Sequence, residues 1–238
     1  MLHSSGMKNP WVIIGILTVV LFGGAIWYSG QSEGKNNEGI ELSAHLRGNP
    51  DAGVSLVEYS DLQCPACAAF VPSVDEVLAE YGDRIRFEYK HFPLPIHRFS
   101  QQAAVAAEAA GQQGKFFEYA DLLFKNQNSW AAAAVPTTAF IQYAEQLELD
   151  TELFRRHLNS SVLREKVRAD LADAQELQLG STPTFILNGV QMDPNEFKTY
   201  DGFKQQIAFA VDPAGAAERY GTSSASASDS SSPVRFGF

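Results

Sequence analysis

The order of elements along the chain predicts an α/β fold: a βαβ unit, a long helical insertion, and then a ββα unit. Three observations carry this. VSLVEY, from Val54 to Tyr59, reads as a short buried strand that leads through a tight connection at 60–63 into a helix. Apolar residues then recur at helical spacing almost without a break from about Ser100 to Leu179. Finally TFIL, Thr184 to Leu187, is followed by Asn188-Gly189, the strongest short hairpin signal, and by a partner run from Val190 to Met192.

Taken in order, Gly48-Asn49-Pro50-Asp51 marks a turn before the first strong strand. The helix that begins near Cys64 carries Phe70, Val74, Val77, Leu78 and Tyr81 on one face. Pro72 is expected to kink it, and Gly82-Asp83 to end it. Ile85 to His91 alternates apolar and polar as a second strand does. The insertion divides into an Ala-rich stretch to Ala110, a break at Gly111 to Gly114, and helices at Phe116–Phe124, Thr137–Leu147, Thr151–Leu158 and Val162–Leu179. A last helix is expected over about Tyr200 to Ala210. The expected organisation is a core first half at 48–98, a helical insertion at 99–179 and a core second half at 180–211. Beyond Asp212 the Ser, Ala and Gly content cannot bury enough apolar surface to offset ordering entropy, so 212–238 reads as a disordered tail, with Phe236 and Phe238 as loose aromatics at its end.

The 238 residues are 45% hydrophobic, enough for a real core, and their net charge of -10 excludes the basic stripe that a nucleic-acid partner requires. Trp11 to Tyr28 contains no charge and as a helix is about 27 Å long, close to the ~30 Å of a hydrocarbon core. Trp11, Trp27 and Tyr28 stand at its ends, where amphipathic rings prefer the interface. The segment therefore reads as a single transmembrane signal anchor at 11–28, with residues 1–10 cytoplasmic and a flexible polar linker at 29–47. The competing reading is a signal peptide cleaved at Gly23-Gly24-Ala25, which would give a secreted protein. Either reading exports the domain to a compartment where dithiol chemistry runs toward oxidation.

The only two cysteines, Cys64 and Cys67, flank Pro65 and Ala66 in a C-x-x-C one helical turn long. Zinc needs more ligands, and His91 and His97 cannot be presented together by a helix across Pro93 and Pro95. A reversible dithiol remains. A thiol at a helix N-terminus faces unpaired N–H groups and the positive end of the dipole, so Cys64 is expected to be the low-pKa, exposed nucleophile, and Cys67 the shielded resolving thiol. Pro65 in the first turn forfeits no hydrogen bond. No metal or organic cofactor is expected besides the redox-active Cys64–Cys67 disulfide itself.

VSLVEYSDLQCPAC, FEYKHFPLPIH before an Ala-rich helix, and GSTPTFILNG together resemble the membrane-anchored, DsbA-like thiol-disulfide oxidoreductases with a thioredoxin fold, over about Gly48 to Ala210. The resemblance implies transfer of a disulfide from Cys64 and Cys67 to thiols of exported, reduced or unfolded proteins, and so a part in protein folding. It also implies reoxidation by a quinone-linked membrane partner. Residue by residue, it implies that Thr182-Pro183 is a cis-proline loop offering Thr182 backbone groups to a substrate strand, and that Glu58 is a buried acid behind the second cysteine. A buried carboxylate with a raised pKa can take the proton of Cys67, and Lys90 on the neighbouring strand is a possible charge partner for it. Ala66 departs from members that carry histidine there, which weakens the expected stabilisation of the Cys64 thiolate. An exported reductase or isomerase is the alternative enzyme reading; a non-catalytic peptide-binding module is the alternative of another class.

Overall fold

In the computed structural model, which describes residues 10–195, 197 and 199–221, strands β1 (His45–Gly48), β2 (Val54–Ser60), β3 (Ile85–His91), β4 (Thr184–Leu187) and β5 (Val190–Gln191) form one sheet. Their order is β1-β3-β2-β4-β5. The central β2 runs parallel to β3 and antiparallel to β4, and helix α2 (Pro65–Tyr81) makes the parallel crossover that β2 and β3 need. β4 and β5 are joined by Asn188 and Gly189, both at positive φ (52° and 81°), as the tight hairpin turn requires.

The pleat of β2 sends Leu56 and Glu58 to one face of the sheet and Val57 and Tyr59 to the other. On the first face, α2 and α9 (Tyr200–Val211) pack over Leu56, Phe87 and Phe185. Phe70 of α2 meets Phe185 and Phe203 at ring-centroid distances of 5.2 and 5.0 Å, which pins both helices to β4. Burying each such side chain contributes about 1.5–3 kcal/mol. The second face carries Tyr59, which clusters with Phe92 and with Ala174 from the C-terminal half of α8 (Ser161–Glu176).

The insertion consists of α3 (Ser100–Gly111), α4 (Phe116–Lys125), α5 (Gln127–Ala131), α6 (Thr137–Gln146), α7 (Thr151–His157) and α8. Alanines 103, 104, 106, 107, 109 and 110 are all buried, so α3 is enclosed on every side from Ala103 to Ala110 and the small side chains let its neighbours approach. Within it Glu108 is 1% exposed and accepts from His45 (2.9 Å) and His91 (3.2 Å). Against the cost of burial, these two imidazoles hold the Glu108 carboxyl well below the usual carboxylate range. The cluster ties β1 and β3 to α3, and Asp170 of α8 extends it by accepting from the His91 N–H and from Lys166.

The α/β class and the inserted helices agree with the sequence reading, while several boundaries differ. Helix α1 spans Pro10–Asn36, so it continues eight residues past Tyr28 into the segment expected to be a flexible linker. The same linker contains the first three residues of β1, whose Gly48 sits at φ 78° with no room for a Cβ, which would lie 2.3 Å from the Ile85 carbonyl oxygen. Helix α2 is continuous through Pro72. The expected tail begins instead with helix α10 (Pro213–Tyr220), capped by the Asp212 side chain and docked on α2 by the Arg219–Glu80 ion pair at 2.6 Å. Residues 1–9 of the expected cytoplasmic segment and 222–238 of the expected tail, with Phe236 and Phe238, lie outside the described residues.

Candidate active site

Cys64 is the N-cap of α2, in extended backbone, with Pro65 as the first helical residue. Both cysteines are free thiols. Cys64 is 7% exposed and Cys67 is 0% exposed, so the expected contrast is small in area, and the Thr182 loop covers the outer thiol as well. The Cys64 Sγ donates to the Thr182 carbonyl at 3.5 Å, and the peptide bond from Thr182 to Pro183 is cis. The Cys67 thiol holds the Cys64 thiol down to about 5, with help from Thr182 and from the N–H groups of Cys67 and Ala66 acting against burial. The Thr182 hydroxyl is buried without a hydrogen-bond partner. Burial pushes Cys67 far up instead, and the neighbouring Cys64 and Glu58 add to it. Pro65 and Ala66 are exposed at the mouth of the site.

The loop before Cys64 is held by groups that the sequence did not single out. Asp61 is 1% exposed; its Oδ1 accepts from Gln63 N (2.8 Å), and its Oδ2 accepts from Leu94 N (2.8 Å) and meets His97 Nδ1 at 2.7 Å. Its own N–H donates to Cys67 Sγ at 3.5 Å. One carboxylate thus fixes the approach to α2, the Leu94–His97 loop and the inner sulfur. From the insertion, Gln127 Nε2 donates to the carbonyls of Leu62 (2.9 Å) and Cys64 (3.1 Å). An acid three residues before a C-x-x-C was a legible signal for Asp61; nothing in the sequence pointed to Gln127.

Glu58 is buried on the α2 face of β2, and burial pushes its carboxyl up to about 7. It borders a cavity of about 30 Å³ with Tyr89, Arg47 and Asp75, room enough for one or two waters. The Tyr89 hydroxyl and Ser60 Oγ are buried without protein partners, and Tyr89 feels the charges of Glu58, Cys67 and Asp61. A proton leaving Cys67 therefore has an acceptor that is half-ionised near neutral pH and polar groups to pass along. Lys90 does not pair with Glu58. Glu58 is opposite Tyr89 in the β2–β3 register, so the pleat turns Lys90 to the other face, where it pairs with Asp173 beside the Tyr59 hydroxyl.

No metal donor set among the described residues includes a cysteine. The one group of three is His45, His91 and Glu108, whose donor atoms lie within 4.8 Å of one another. Two imidazoles and a carboxylate suit a divalent ion, but the Lys166 ammonium stands 4.0 Å from the Glu108 carboxylate and already supplies positive charge.

The family described as thioredoxin matches residues 41–208. A thioredoxin-like oxidoreductase from Silicibacter pomeroyi has a similar structure, with a TM-score of 0.57 and 25% identity over 77% of this chain and 96% of that one. Wolbachia pipientis alpha-DsbA1 (TM-score 0.63, 21% identity, 78% and 98% coverage) and oxidised BdbD from Bacillus subtilis (0.61, 23%, 74% and 94%) share the fold. Among curated sequences, the Na(+)/H(+) antiporter NhaA 3 of Salinispora tropica is 39% identical over 146 residues, which are 61% of this chain and 22% of that protein. The antiporter NhaA 1 of Mycobacterium sp. (strain KMS) is 40% identical over 148 residues, 23% of its length. The chain thus spans less than a quarter of the curated relatives it matches.

Proposed function

The chain belongs to the thioredoxin family, and from that premise we propose that it is a membrane-anchored, extracytoplasmic thiol-disulfide oxidoreductase that transfers the Cys64–Cys67 disulfide to thiols of exported proteins. The observation that carries this reading is the asymmetry of the pair: Cys64 lies at the helix N-terminus against Thr182, with its thiol pulled down, and Cys67 lies behind it with its thiol pushed up.

In the forward reaction a substrate thiolate attacks Cys64 Sγ, the Cys64–Cys67 bond breaks, and Cys67 leaves with the electron pair. Glu58, protonated for half its population at neutral pH, supplies the proton that Cys67 needs. A second substrate thiolate then attacks the substrate sulfur of the mixed disulfide and expels Cys64 as the stabilised thiolate. Two substrate thiols have become a disulfide, and the protein holds the two electrons as a dithiol. Stabilising the Cys64 thiolate favours the reduced enzyme, which supports the oxidase direction over the reductase or isomerase. A quinone-linked membrane protein is the class of partner that can take the electrons back.

Membrane attachment is supported by α1, the one helix among the described residues long and apolar enough to cross a bilayer; its described side chains up to Ala25 are all exposed. Antiporter activity is a property of the curated relatives and does not follow from a match to a fifth or a quarter of their length.

Trapping tests the roles. Cys67→Ala should accumulate mixed disulfides with substrate proteins that carry a disulfide, because the Cys64 thiolate attacks that bond, releases one substrate thiol and leaves no Cys67 to resolve the product, while Cys64→Ala should accumulate none. Equal trapping by both variants would remove the basis for assigning Cys64 as the attacking sulfur.

A further inference from the structure

Five basic residues, Arg155, Arg156, Arg164, Lys166 and Arg168, fall between positions 155 and 168 of a chain whose net charge is -10, with Glu165 the only acid among them. Arg155, Arg164 and Arg168 line a cavity of about 520 Å³ bounded by α3, α6, α7 and α8, with Phe140, Leu158 and Val167 on its apolar side. Arg168 is held by Glu165 at 2.7 Å and Arg155 lies 3.9 Å from Glu152, while Arg164 has no ion-pair partner among the described residues. The cavity therefore offers cationic forks beside an apolar wall, the complement of an anion that carries a hydrocarbon tail.

A second observation says where such an anion is found. The end of α1 is fastened to this part of the insertion. The Asn37 Oδ1 accepts from Ser160 Oγ (2.7 Å) and Ser161 N (3.1 Å), its Nδ2 donates to Ser161 Oγ (2.9 Å), and the His157 ring lies 3.2 Å from the Glu38 carbonyl. Leu158, on the cavity wall, sits between those attachment points. The eight residues from Ser29 to Asn36 continue the helix beyond the apolar run, a rise of about 12 Å. The headgroup layer is itself about 5–7 Å deep, which leaves the cavity within roughly one Debye length (~8 Å) of the membrane surface.

We propose that this cavity binds an anionic phospholipid of the membrane that α1 enters, with the headgroup phosphate held by Arg155, Arg164 and Arg168 and an acyl chain lying on Phe140, Leu158 and Val167. The proposal rests on the reading of α1 as a membrane anchor. It gives the insertion a task besides holding the Leu62 and Cys64 carbonyls through Gln127: it fixes the domain's orientation at the bilayer.

The test uses the full chain in a neutral detergent, followed by thermal melting with phosphatidylglycerol, phosphatidylcholine or inorganic phosphate. Phosphatidylglycerol should raise Tm by about 5–11 °C at a hundredfold excess over its dissociation constant, and the other two by under about 1 °C. The rise should vanish in Arg164→Gln/Arg168→Gln and fall by at least about half in Arg155→Gln, all exposed positions, with unliganded Tm values within about 2 °C of the parent. An equal rise with phosphatidylcholine, a rise with inorganic phosphate as large as with the lipid, or a rise kept by the variants overturns the proposal. Anchoring is read separately, from whether the full chain stays with phosphatidylcholine vesicles through an alkaline wash. Loss there sinks the anchor and leaves the melting shift to judge the cavity.

Discussion

Replacing Glu58 with Gln should make the protein more stable at alkaline pH and leave it unchanged in acid. Burial raises the Glu58 carboxyl from its ordinary 4.5 to about 7. Below pH 4.5 the group is protonated in folded and unfolded chains alike and contributes no difference. Between pH 4.5 and 7 the unfolded chain releases its proton first, so the folded state loses stability as pH rises. Above pH 7 the full penalty is present, about 3 kcal/mol at 1.36 kcal/mol per tenfold change. Glutamine carries no charge and escapes that penalty. For a chain of this size each kcal/mol moves Tm by about 2–4 °C, so E58Q should melt with the parent at pH 4 and about 6–12 °C above it at pH 8. Melting of the two reduced proteins at both pH values is the assay. Curves that stay parallel from pH 4 to pH 8 would mean that Glu58 is not the buried, half-ionised acid behind Cys67, and its role as proton donor would go with it.

Other consequences can be checked with simple chemistry. Alkylation of the reduced protein should label Cys64 at pH 6 at nearly its pH 8 rate and slow only below about pH 5, with Cys67 inert; labelling of Cys67 at a comparable rate contradicts the assignment. Asp61→Asn should cost about 1–3 kcal/mol, since both carboxylate oxygens accept backbone N–H groups and the amide must turn its own NH₂ toward one of them. An unchanged Tm in that variant would show that the loop before Cys64 is held by other groups. Ala66→His should lower the Cys64 pKa and raise the reduction potential together, as a charge at the exposed Ala66 position favours the thiolate; movement of one without the other would break the link between them.

What could be read from the sequence follows the strength of local signals. The C-x-x-C at a strand-to-helix junction, the helical periodicity of 100–179 and the Asn188-Gly189 hairpin are determined by neighbours in the chain, and the same residues build those elements in the structure. Strand β1 is hidden in the sequence because it is a four-residue edge strand whose buried side chain is His45, enclosed by Glu108 from α3 and the Phe116 ring from α4, groups that only the tertiary fold brings to it. Helix α10 was hidden by Gly/Ala composition, although Asp212-Pro213 carries both a cap and a first-turn proline. The partner of Lys90 depended on strand register, which alternation within one strand does not disclose. Asp61, His97 and Gln127 converge on the active-site loop from three elements, a juxtaposition made only by the tertiary fold.

The equilibrium reduction potential of the Cys64–Cys67 pair bears most directly on whether this dithiol works as an oxidase. At pH 7, a Cys64 thiol held at about 5 stabilises the reduced form about a hundredfold, which raises the potential by about 60 mV over the same pair with an unshifted thiol. Equilibration with glutathione buffers, with the dithiol fraction read by alkylation and mass, should give roughly -200 to -130 mV. A value near -270 mV, the thioredoxin range, would contradict the oxidase reading and assign the chain to the reductases.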